Sequence, residues 1–202
     1  MNMIRNITKE AEARIPTDWG DFRMIAFKSI VSDYDPDIVM VHPEMDPNEV
    51  VTVRIHSECI TGDLFHSQRC DCGNQLDGAM KQIAKDKGIL LYLRQEGRGI
   101  GIVNKLKAYN KQDEGLDTIQ ANEALGLEVD GRTYDHVIKI LQFLDVKRIN
   151  LLTNNPTKIA VFEDGPITLV KRIPLEIAPT KNNTSYLKTK KEDMGHLLVS
   201  AF

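Results

Sequence analysis

The feature that most constrains this sequence is a short segment, residues 56–73 (HSECITGDLFHSQRCDCG), which contains all 3 of its cysteines. Cys59, Cys70 and Cys72 offer soft thiolate ligands, which bind Zn²⁺ strongly in tetrahedral geometry. A structural zinc site normally has four protein ligands, whereas a catalytic site keeps one coordination position for water or substrate. Three cysteines in one segment therefore indicate a zinc ion with an open position.

Other interpretations of the cysteines have different consequences. Buried, inert cysteines are common in protein cores, but they would be expected to be scattered along the chain. A closed site with a histidine as fourth ligand stays open as an alternative, because His56 and His66 are both close in sequence. A disulfide is disfavoured because the number of cysteines is odd and no secretion signal is recognisable.

Length and composition limit the class of protein. With 202 residues, of which 42% are hydrophobic, the chain can bury a core of one domain or of a compact one and a half. The net charge of −3 gives no overall attraction for nucleic acid or for anionic membranes, so a small phosphate ligand is favoured as the partner. No apolar run approaches the roughly 20 residues that span a bilayer, and residues 1–15 lack an apolar signal core. We therefore expect a cytoplasmic protein with reduced thiols and neither a membrane nor a nucleic-acid partner.

The pattern of apolar residues predicts a mixed α/β (α+β) fold. The β-branched and apolar runs in the first third favour an antiparallel sheet, and the cysteine segment begins where its third strand ends. The runs are 22–27, 37–42 and 50–55. After a helix from residue 74 that ends near Gly88, two short strands, 89–93 and 148–152, each lead through a loop into a helix. We predict a single compact domain over residues 1–202, with a final β run at 167–175 and a partly flexible tail from about 181.

Two loops in this pattern suit anions. Residues 94–101 (RQEGRGIG) form a glycine-rich turn between a strand and a helix, which exposes backbone N–H groups, and Arg98 is a bidentate donor for phosphate. The segment lacks the Gly-Lys-Ser/Thr ending of a Walker loop, so a plain tight turn is the alternative. Lys158, in the first helical turn after the second loop, also favours an anion there, although a solvated surface lysine is the commoner explanation.

The motifs of the whole chain, taken in order, carry a family resemblance. They are 54–59 (RIHSEC), 61–63 (TGD), 69–73 (RCDCG), 94–98 (RQEGR), 104–105 (NK), Tyr109, 117–118 (DT), Asn122, 125–126 (LG), Asp130, Arg132, 152–156 (LTNNP) and Lys158. The cysteine run resembles the zinc motif of GTP cyclohydrolase II, and the resemblance covers nearly the whole chain.

The resemblance implies an activity and a set of roles. The family is a hydrolase that opens the imidazole ring of GTP and releases C8 as formate and the outer phosphates as pyrophosphate. Its product is 2,5-diamino-6-(5-phospho-ribosylamino)pyrimidin-4(3H)-one, in the first committed step of riboflavin biosynthesis. The resemblance implies one Zn²⁺ per chain on the cysteines and Mg²⁺ with the triphosphate. It also implies a homodimer, and it places Tyr109 near the attacked ring carbon. Arg132 would be a nucleophile toward the α-phosphate with Asp130 as its base, or would stabilise charge electrostatically, since a guanidinium is protonated at ordinary pH.

The resemblance also implies a set of GTP-binding residues, which lie in or beside the motifs. They are Arg54, Ile55, His56, Ser57, Glu58, Gln75, Glu96, Gly97, Arg98, Thr118, Thr153 and Lys158. Glu96 or Gln75 is suited to read the N–H donors of guanine, and the cationic side chains suit the phosphates.

Two other functions compete with this one. The first is a paralogue that opens GTP but keeps the formyl group on its product; a tyrosine beside an open zinc weighs against it. The second is a non-enzymatic, zinc-stabilised module that binds nucleotide, which predicts a fourth protein ligand and a basic face.

Overall fold

The computed structural model describes residues 7–28 and 35–199 of the chain. They fall into two compact units, each built from three stretches of sequence. The described residues of unit 1 lie within Met1–His56, Asp77–Arg94 and Tyr134–Leu175, and those of unit 2 lie within Ser57–Leu76, Gln95–Thr133 and Glu176–Phe202. The single domain predicted over residues 1–202 stays a prediction, as does the partial flexibility of the tail.

The described residues form a mixed α/β structure, as predicted. Its strands are β1 (Lys9–Thr17), β2 (Gly20–Phe27), β3 (Asp37–Val41), β4 (Val50–Ser57), β5 (Ile89–Leu93), β6 (Arg148–Leu152) and β7 (Thr168–Ile173). The α-helices are α1 (Ile60–Asp63), α2 (Cys72–Asp86), α3 (Gly101–Asp113), α4 (Thr118–Ala124), α5 (Asp135–Phe143), α6 (Pro156–Ala160) and α7 (Thr184–Glu192), and a 3-10 turn covers Glu96–Gly99. None of the helices in the described ranges is long and apolar enough to cross a membrane.

The strands form one 7-stranded sheet in the order β1-β2-β3-β5-β4-β6-β7. The pairs β1–β2, β2–β3 and β3–β5 are antiparallel. The pairs β4–β6 and β6–β7 are parallel. The structure thus differs from the expected antiparallel first third at β4, which β5 separates from β3. The physical reason is that β4 is buried along nearly its whole length on both faces, which is typical of a central parallel strand.

The hydrophobic core belongs to unit 1. Residues of the central strands pack against α5, which presents Val137, Ile140 and Leu141 to the sheet at helical spacing. Each of these three side chains is fully buried, and burying one stabilises the fold by roughly 1.5–3 kcal/mol. The strands that end in the predicted functional loops are therefore held by a well-packed core.

The end of α2 differs in detail from the prediction. The helix ends at Asp86, and Lys87, with φ of 56°, takes the left-handed position that the sequence assigned to Gly88. Gly88 is needed for another reason. A Cβ there would lie 2.2 Å from the carbonyl oxygen of Thr52, so the close approach of the chain to β4 requires glycine.

Unit 2 contains α1, the first turn of α2, the 3-10 turn, α3, α4 and α7. Asp117 begins α4 with a capping box, because its carboxylate accepts from the backbone N–H groups of Ile119 and Gln120 while the Gln120 side chain accepts from the Asp117 N–H. Gly126 follows the helix with φ of 66°, the left-handed conformation in which many helices end.

Candidate metal centre and catalytic residues

The cysteine sulfurs of unit 2 converge. Cys59 precedes α1, Cys70 lies in the turn that follows it, and Cys72 begins α2. The three Sγ atoms lie within 4.8 Å of one another, with Cys59 and Cys70 at 3.6 Å. Zn–S bonds of about 2.3 Å in tetrahedral geometry place sulfurs about 3.8 Å apart. The cluster therefore fits a tetrahedral zinc ion.

Glycine at position 62 allows the sulfurs to come this close. A Cβ built on Gly62 would lie 2.9 Å from Cys70 Sγ and 3.1 Å from Cys59 Sγ. Gly73 packs on the same turn, where a Cβ would lie 2.2 Å from the Gly62 carbonyl oxygen. Neither glycine has the space for a side chain, so backbone forms one wall of the cluster.

The group suited to a metal within the described residues consists of the three cysteines alone. His66 is exposed, in a left-handed turn with φ of 52°. In unit 1, His56 is buried and stacks on the ring of Tyr92 at 5.5 Å between centroids. No histidine of the described residues belongs to this group, so the geometry does not favour a closed site with a histidine as fourth ligand.

A buried ion pair adjoins the cluster. Lys105 Nζ, on α3, lies 3.0 Å from Cys59 Sγ and 2.8 Å from Glu96 Oε1. The Glu96 carboxylate also accepts from the backbone N–H of Ile60 at 2.6 Å and of Gly97 at 2.7 Å. Three donors thus converge on the Glu96 carboxylate, from Lys105, from the first residue of α1 and from its own loop.

The ionisation of these groups follows from their contacts. Hydrogen bonds from the thiols of Cys70 and Cys72 lower the pKa of Cys59, with a further contribution from the Lys105 ammonium. Burial works against the charge of Lys105, but the Cys59 thiolate and the hydrogen bond to Glu96 outweigh it and raise its pKa. The Lys105 ammonium therefore lies where it offsets negative charge on the Cys59 sulfur.

Tyr109 lies one helical turn after Lys105, on the same side of α3. The Arg69 guanidinium lies 4.9 Å from the centre of its ring and Lys105 Nζ lies 5.8 Å from it. Arg69 is itself held by Asp113 at 2.5 Å. Burial raises the pKa of Tyr109, although Lys105 and a hydrogen bond with Thr61 oppose the shift. The phenol is consequently protonated at neutral pH and is able to donate a proton.

Asp130 and Arg132 form a bidentate ion pair. Arg132 Nε donates to Asp130 Oδ1 at 2.8 Å and Nη2 donates to Oδ2 at 2.5 Å. Burial opposes ionisation of Asp130, but its bonds with Arg132 prevail and lower its pKa. Arg132 Nη1 also reaches Ser57 Oγ at 3.5 Å. A guanidinium held in this way is a fixed positive charge.

The glycine-rich loop adopts an unusual backbone. Gly97, Arg98 and Gly99 all have positive φ, of 61°, 61° and 95°. For arginine this conformation costs free energy that the surrounding contacts must offset. Arg98 Nη1 is buried without a hydrogen-bond partner among the described residues, so it is a donor available to an anion.

Other predicted GTP-binding residues of unit 2 lie close to these groups in sequence. Gln75 Nε2 donates to Asp71 Oδ2 at 2.5 Å, and Ser57 Oγ lies 3.5 Å from Gln95 Oε1. Glu58 is half-buried, as is Thr118, which follows the cap of α4.

The remaining predicted residues belong to unit 1. Arg54 Nη1 donates to the Leu152 carbonyl at 3.0 Å, and Lys158 Nζ donates to the Ile55 carbonyl at 2.9 Å. Lys158 is 6% exposed, so it is not the solvated surface lysine that was the alternative. Ile55 and Thr153 are also fully buried. These residues tie the carboxyl ends of β4 and β6 together, and two buried cations lie among them.

Comparison with known proteins bears directly on what these residues do. The family model described as GTP cyclohydrolase II matches residues 8–174. The chain belongs to the GTP cyclohydrolase II family. The relatives include a "GTP cyclohydrolase-2" from Shigella boydii and another from Escherichia coli K12, each 45% identical over 193 residues, which is 95% of this chain and 98% of the relative. A "Riboflavin biosynthesis protein RibBA" from Chlorobium phaeovibrioides is 47% identical over 199 residues, which is 98% of this chain and 48% of the relative. The chain thus spans about half the length of the RibBA proteins it matches.

In this member of the GTP cyclohydrolase II family, the sequence did not indicate two contacts that lysine side chains make near the cysteines. The contact of Lys105 with Cys59 joins residues 46 positions apart, and Lys190 donates to Asp71 across 119 positions. Lys105 lies in the motif 104–105, but the sequence assigns it no role. Its only sequence signal is its position one helical turn before Tyr109. Lys190 carries no such signal.

Proposed function

We propose that this chain hydrolyses GTP as a GTP cyclohydrolase II. It would open the guanine imidazole ring, release formate and pyrophosphate, and form 2,5-diamino-6-(5-phospho-ribosylamino)pyrimidin-4(3H)-one for riboflavin synthesis. The observation that carries the proposal is a cluster of three cysteine sulfurs, without a fourth protein ligand in the described residues, in a chain that matches relatives named GTP cyclohydrolase-2 almost end to end. This combination fits hydrolysis at an open metal better than a structural zinc module.

Ring opening would use the cysteine side of unit 2. Cys59, Cys70 and Cys72 would hold one Zn²⁺, which would supply an activated water for attack on C8. Lys105 would offset part of the negative charge of three thiolates. Tyr109, a protonated phenol beside the cluster, would donate a proton to the ring as its C–N bond breaks.

Loss of pyrophosphate would use the cationic groups. Arg132, held by Asp130, would stand against the α-phosphate, and Arg98 would take an anion at its unpartnered Nη1. The bidentate ion pair favours electrostatic stabilisation by Arg132 over a covalent role, because a nucleophilic guanidine would have to lose the proton that Asp130 stabilises. Mg²⁺ would accompany the triphosphate.

We further propose that the predicted GTP-binding residues act in different ways. Ile55 is fully buried and Gly97 has no side chain, so they would contact GTP through the backbone. Gln75 would suit the guanine edge. The other predicted residues would also contact GTP, namely Arg54, His56, Ser57, Glu58, Thr118, Thr153 and Lys158. For Glu96 the contacts support a revised role. Its carboxylate accepts from Lys105 and from two backbone N–H groups, so it would hold the loop that carries the cysteines instead of reading guanine. We call this loop, residues 59–72, the metal loop.

The test is a product analysis of the metal-replete protein with GTP and Mg²⁺, in which formate, pyrophosphate and the pyrimidine are followed together. The wild type is expected to form all three. Cys59→Ser is expected to lose formate release and keep pyrophosphate release, while Arg132→Gln is expected to lose pyrophosphate release. Any activity that a variant keeps shows that it is folded. Pyrophosphate without formate from the wild type would instead favour the paralogue, and the absence of both products would favour the nucleotide-binding module.

The resemblance also supports a homodimer, and we propose one together with a cytoplasmic location. Sedimentation of the purified chain tests the dimer, and a monomer at micromolar concentration would contradict it.

A further inference from the structure

The C-terminal helix α7 contacts the metal loop through a buried ion pair. Asp71, between the cysteines at positions 70 and 72, is 2% exposed. Its Oδ1 accepts from Lys190 Nζ at 2.9 Å, and its Oδ2 accepts from Gln75 Nε2 at 2.5 Å. A carboxylate so deeply buried is stable only with such partners. One residue therefore connects the metal loop to α7 and to a side chain predicted to bind GTP.

Lys190 is oriented by its own helix. Its Nζ lies 4.5 Å from the centre of the Tyr186 ring, one turn earlier on α7, and its side chain is only 12% exposed. Leu187 and Thr189 on the same helix are buried as well. A second contact extends the attachment, since Asn182 Nδ2 donates to Gln68 Oε1 at 2.5 Å in the metal loop. These contacts hold the lysine in place, in contrast to a freely moving surface side chain.

We propose that α7 is a clamp that positions the metal loop, with Lys190 as the positioning residue for Asp71 and through it for the cysteines on either side. Residues that hydrogen-bond to metal-bearing segments typically alter metal affinity by 10–100-fold when they are changed. The clamp lies beyond residue 174, where the match to the family model ends. The inference rests on the proposed binding of metal by the cysteines, and it adds a structural element that holds their loop.

The test compares zinc affinity, measured by competition with a chromogenic chelator, in Lys190→Met and in the control Lys188→Met. Lys188 is on the same helix, is 59% exposed and has only a distant ion pair with Glu192 at 3.9 Å. Lys190→Met is expected to weaken zinc binding by about 10–100-fold, because it leaves the buried Asp71 carboxylate without its cation. Lys188→Met is expected to bind zinc as the wild type does. The cobalt-substituted proteins are compared by their thiolate-to-metal absorption bands, which report the arrangement of the sulfurs independently of activity.

A second variant keeps the test decisive if Lys190→Met does not fold. Lys190→Met combined with Asp71→Asn removes both charges, so it separates the loss of the clamp from the cost of a buried carboxylate without its cation. Because the link to α7 is still missing, the double variant is expected to bind zinc more weakly than the wild type does. Wild-type zinc affinity and unchanged cobalt bands in Lys190→Met would overturn the proposal, as would wild-type zinc affinity in the double variant. A wild type that binds no zinc would instead overturn the proposed function itself, so the two failures are distinguishable.

Discussion

At the scale of single residues, the metal loop depends on a missing side chain as well as on its sulfur atoms. Gly62 lies beside all three cysteines, and a Cβ there would also come within 3.0 Å of the Cys72 Cβ. The neighbouring cysteine side chains are short and cannot rotate away without breaking the sulfur geometry.

We predict that Gly62→Ala prevents stoichiometric zinc binding while the fold of unit 1 persists. The added methyl group must displace the Cys59 or Cys70 sulfur, whose spacing sets the tetrahedral site. The measurement is zinc content per chain by atomic absorption, with far-UV circular dichroism to check the fold. Gly165→Ala is the matched control, because its Cβ would make only ordinary contacts, the nearest at 3.5 Å. One zinc per chain in Gly62→Ala would contradict the prediction, because it would show that the groups around Gly62 can move aside.

A second residue-scale feature is the buried carboxyl of Asp37 in unit 1. Its side chain is 3% exposed, accepts from the Arg94 backbone N–H at 2.9 Å and lies 3.5 Å from His136 Nε2. Burial raises the pKa of Asp37 from 3.8 to about 6, against the opposing effects of Arg94. Burial also lowers the pKa of His136 from 6.5 to about 4. Both side chains are therefore neutral near pH 5.

We predict that Asp37→Asn stabilises the protein at pH 8 by up to about 3 kcal/mol and changes stability little at pH 4. Because the folded state of the wild type keeps the Asp37 proton to a higher pH, its stability falls as pH rises from about 4 to 6. His136 has the opposite effect, since its depressed pKa makes stability rise between about pH 4 and 6.5. The Asp37→Asn variant keeps only the rise in stability that is due to His136. Urea unfolding at several pH values measures it, and a variant less stable than the wild type at pH 8 would contradict the assignment.

At the scale of secondary structure, α4 depends on its N-terminal cap. The helix has 7 residues, too few to be stable by propensity alone, and the reciprocal bonds of Asp117 and Gln120 satisfy several of its free N–H groups. Thr118, a predicted GTP-binding residue, is the first residue after the cap. The cap therefore fixes the position of a residue that we assign to substrate binding.

We predict that Asp117→Ala costs about 1 kcal/mol in the free energy of unfolding and raises KM for GTP more than it lowers kcat. Asp117→Asn keeps a capping oxygen and is expected to behave nearly as the wild type. Glu123→Ala, on an exposed position of the same helix, controls for general effects of substitution. Denaturant unfolding and steady-state kinetics are the measurements. Equal effects of all three substitutions would show that the N-terminal cap is not the cause of the changes in stability and KM.

The elements that could be predicted from sequence are those with strong local patterns. β3, β5 and β6 are short apolar runs, and α5 has a clear apolar stripe, so their sequences alone indicate their structure. β1 was missed because its residues are mostly exposed, include Pro16, and show no alternation; it is a strand only by pairing with β2. The position of β4 beside β6 depends on pairing between distant segments, which no local pattern reveals.

At the scale of the whole molecule, the same distinction explains which parts of the candidate site the sequence could indicate. The cysteines fall within 14 residues of sequence, from 59 to 72, and sulfur chemistry identifies them without a fold. The Lys105 and Lys190 contacts arise only when the chain brings together segments far apart in sequence. Charged residues on helices are usually solvated, so sequence gave no reason to place these two lysines inside.

The two units also differ in what stabilises them. The main hydrophobic cluster of the described residues lies wholly in unit 1 and includes Phe27, Leu91 and Ile140. The buried apolar side chains described in unit 2 are few, namely Cys59, Cys70, Ala108, Ala121 and Leu187. A unit with so little apolar burial depends more on polar contacts and on the metal that we propose it binds.

We therefore predict that removal of zinc loosens unit 2 and leaves the sheet of unit 1 protected. After treatment with a chelator, amide hydrogen exchange followed by mass spectrometry is expected to accelerate in peptides covering residues 57–76 and in α7, because the cysteines are no longer joined through the metal and the loop that α7 contacts is free to open. Peptides covering β3 and β5 are expected to exchange as slowly as in the zinc-bound protein. Re-addition of one equivalent of zinc should restore the original pattern. Uniform acceleration along the whole chain would mean that the metal stabilises both units together, and no change in residues 57–76 would mean that the loop is fixed by its protein contacts alone.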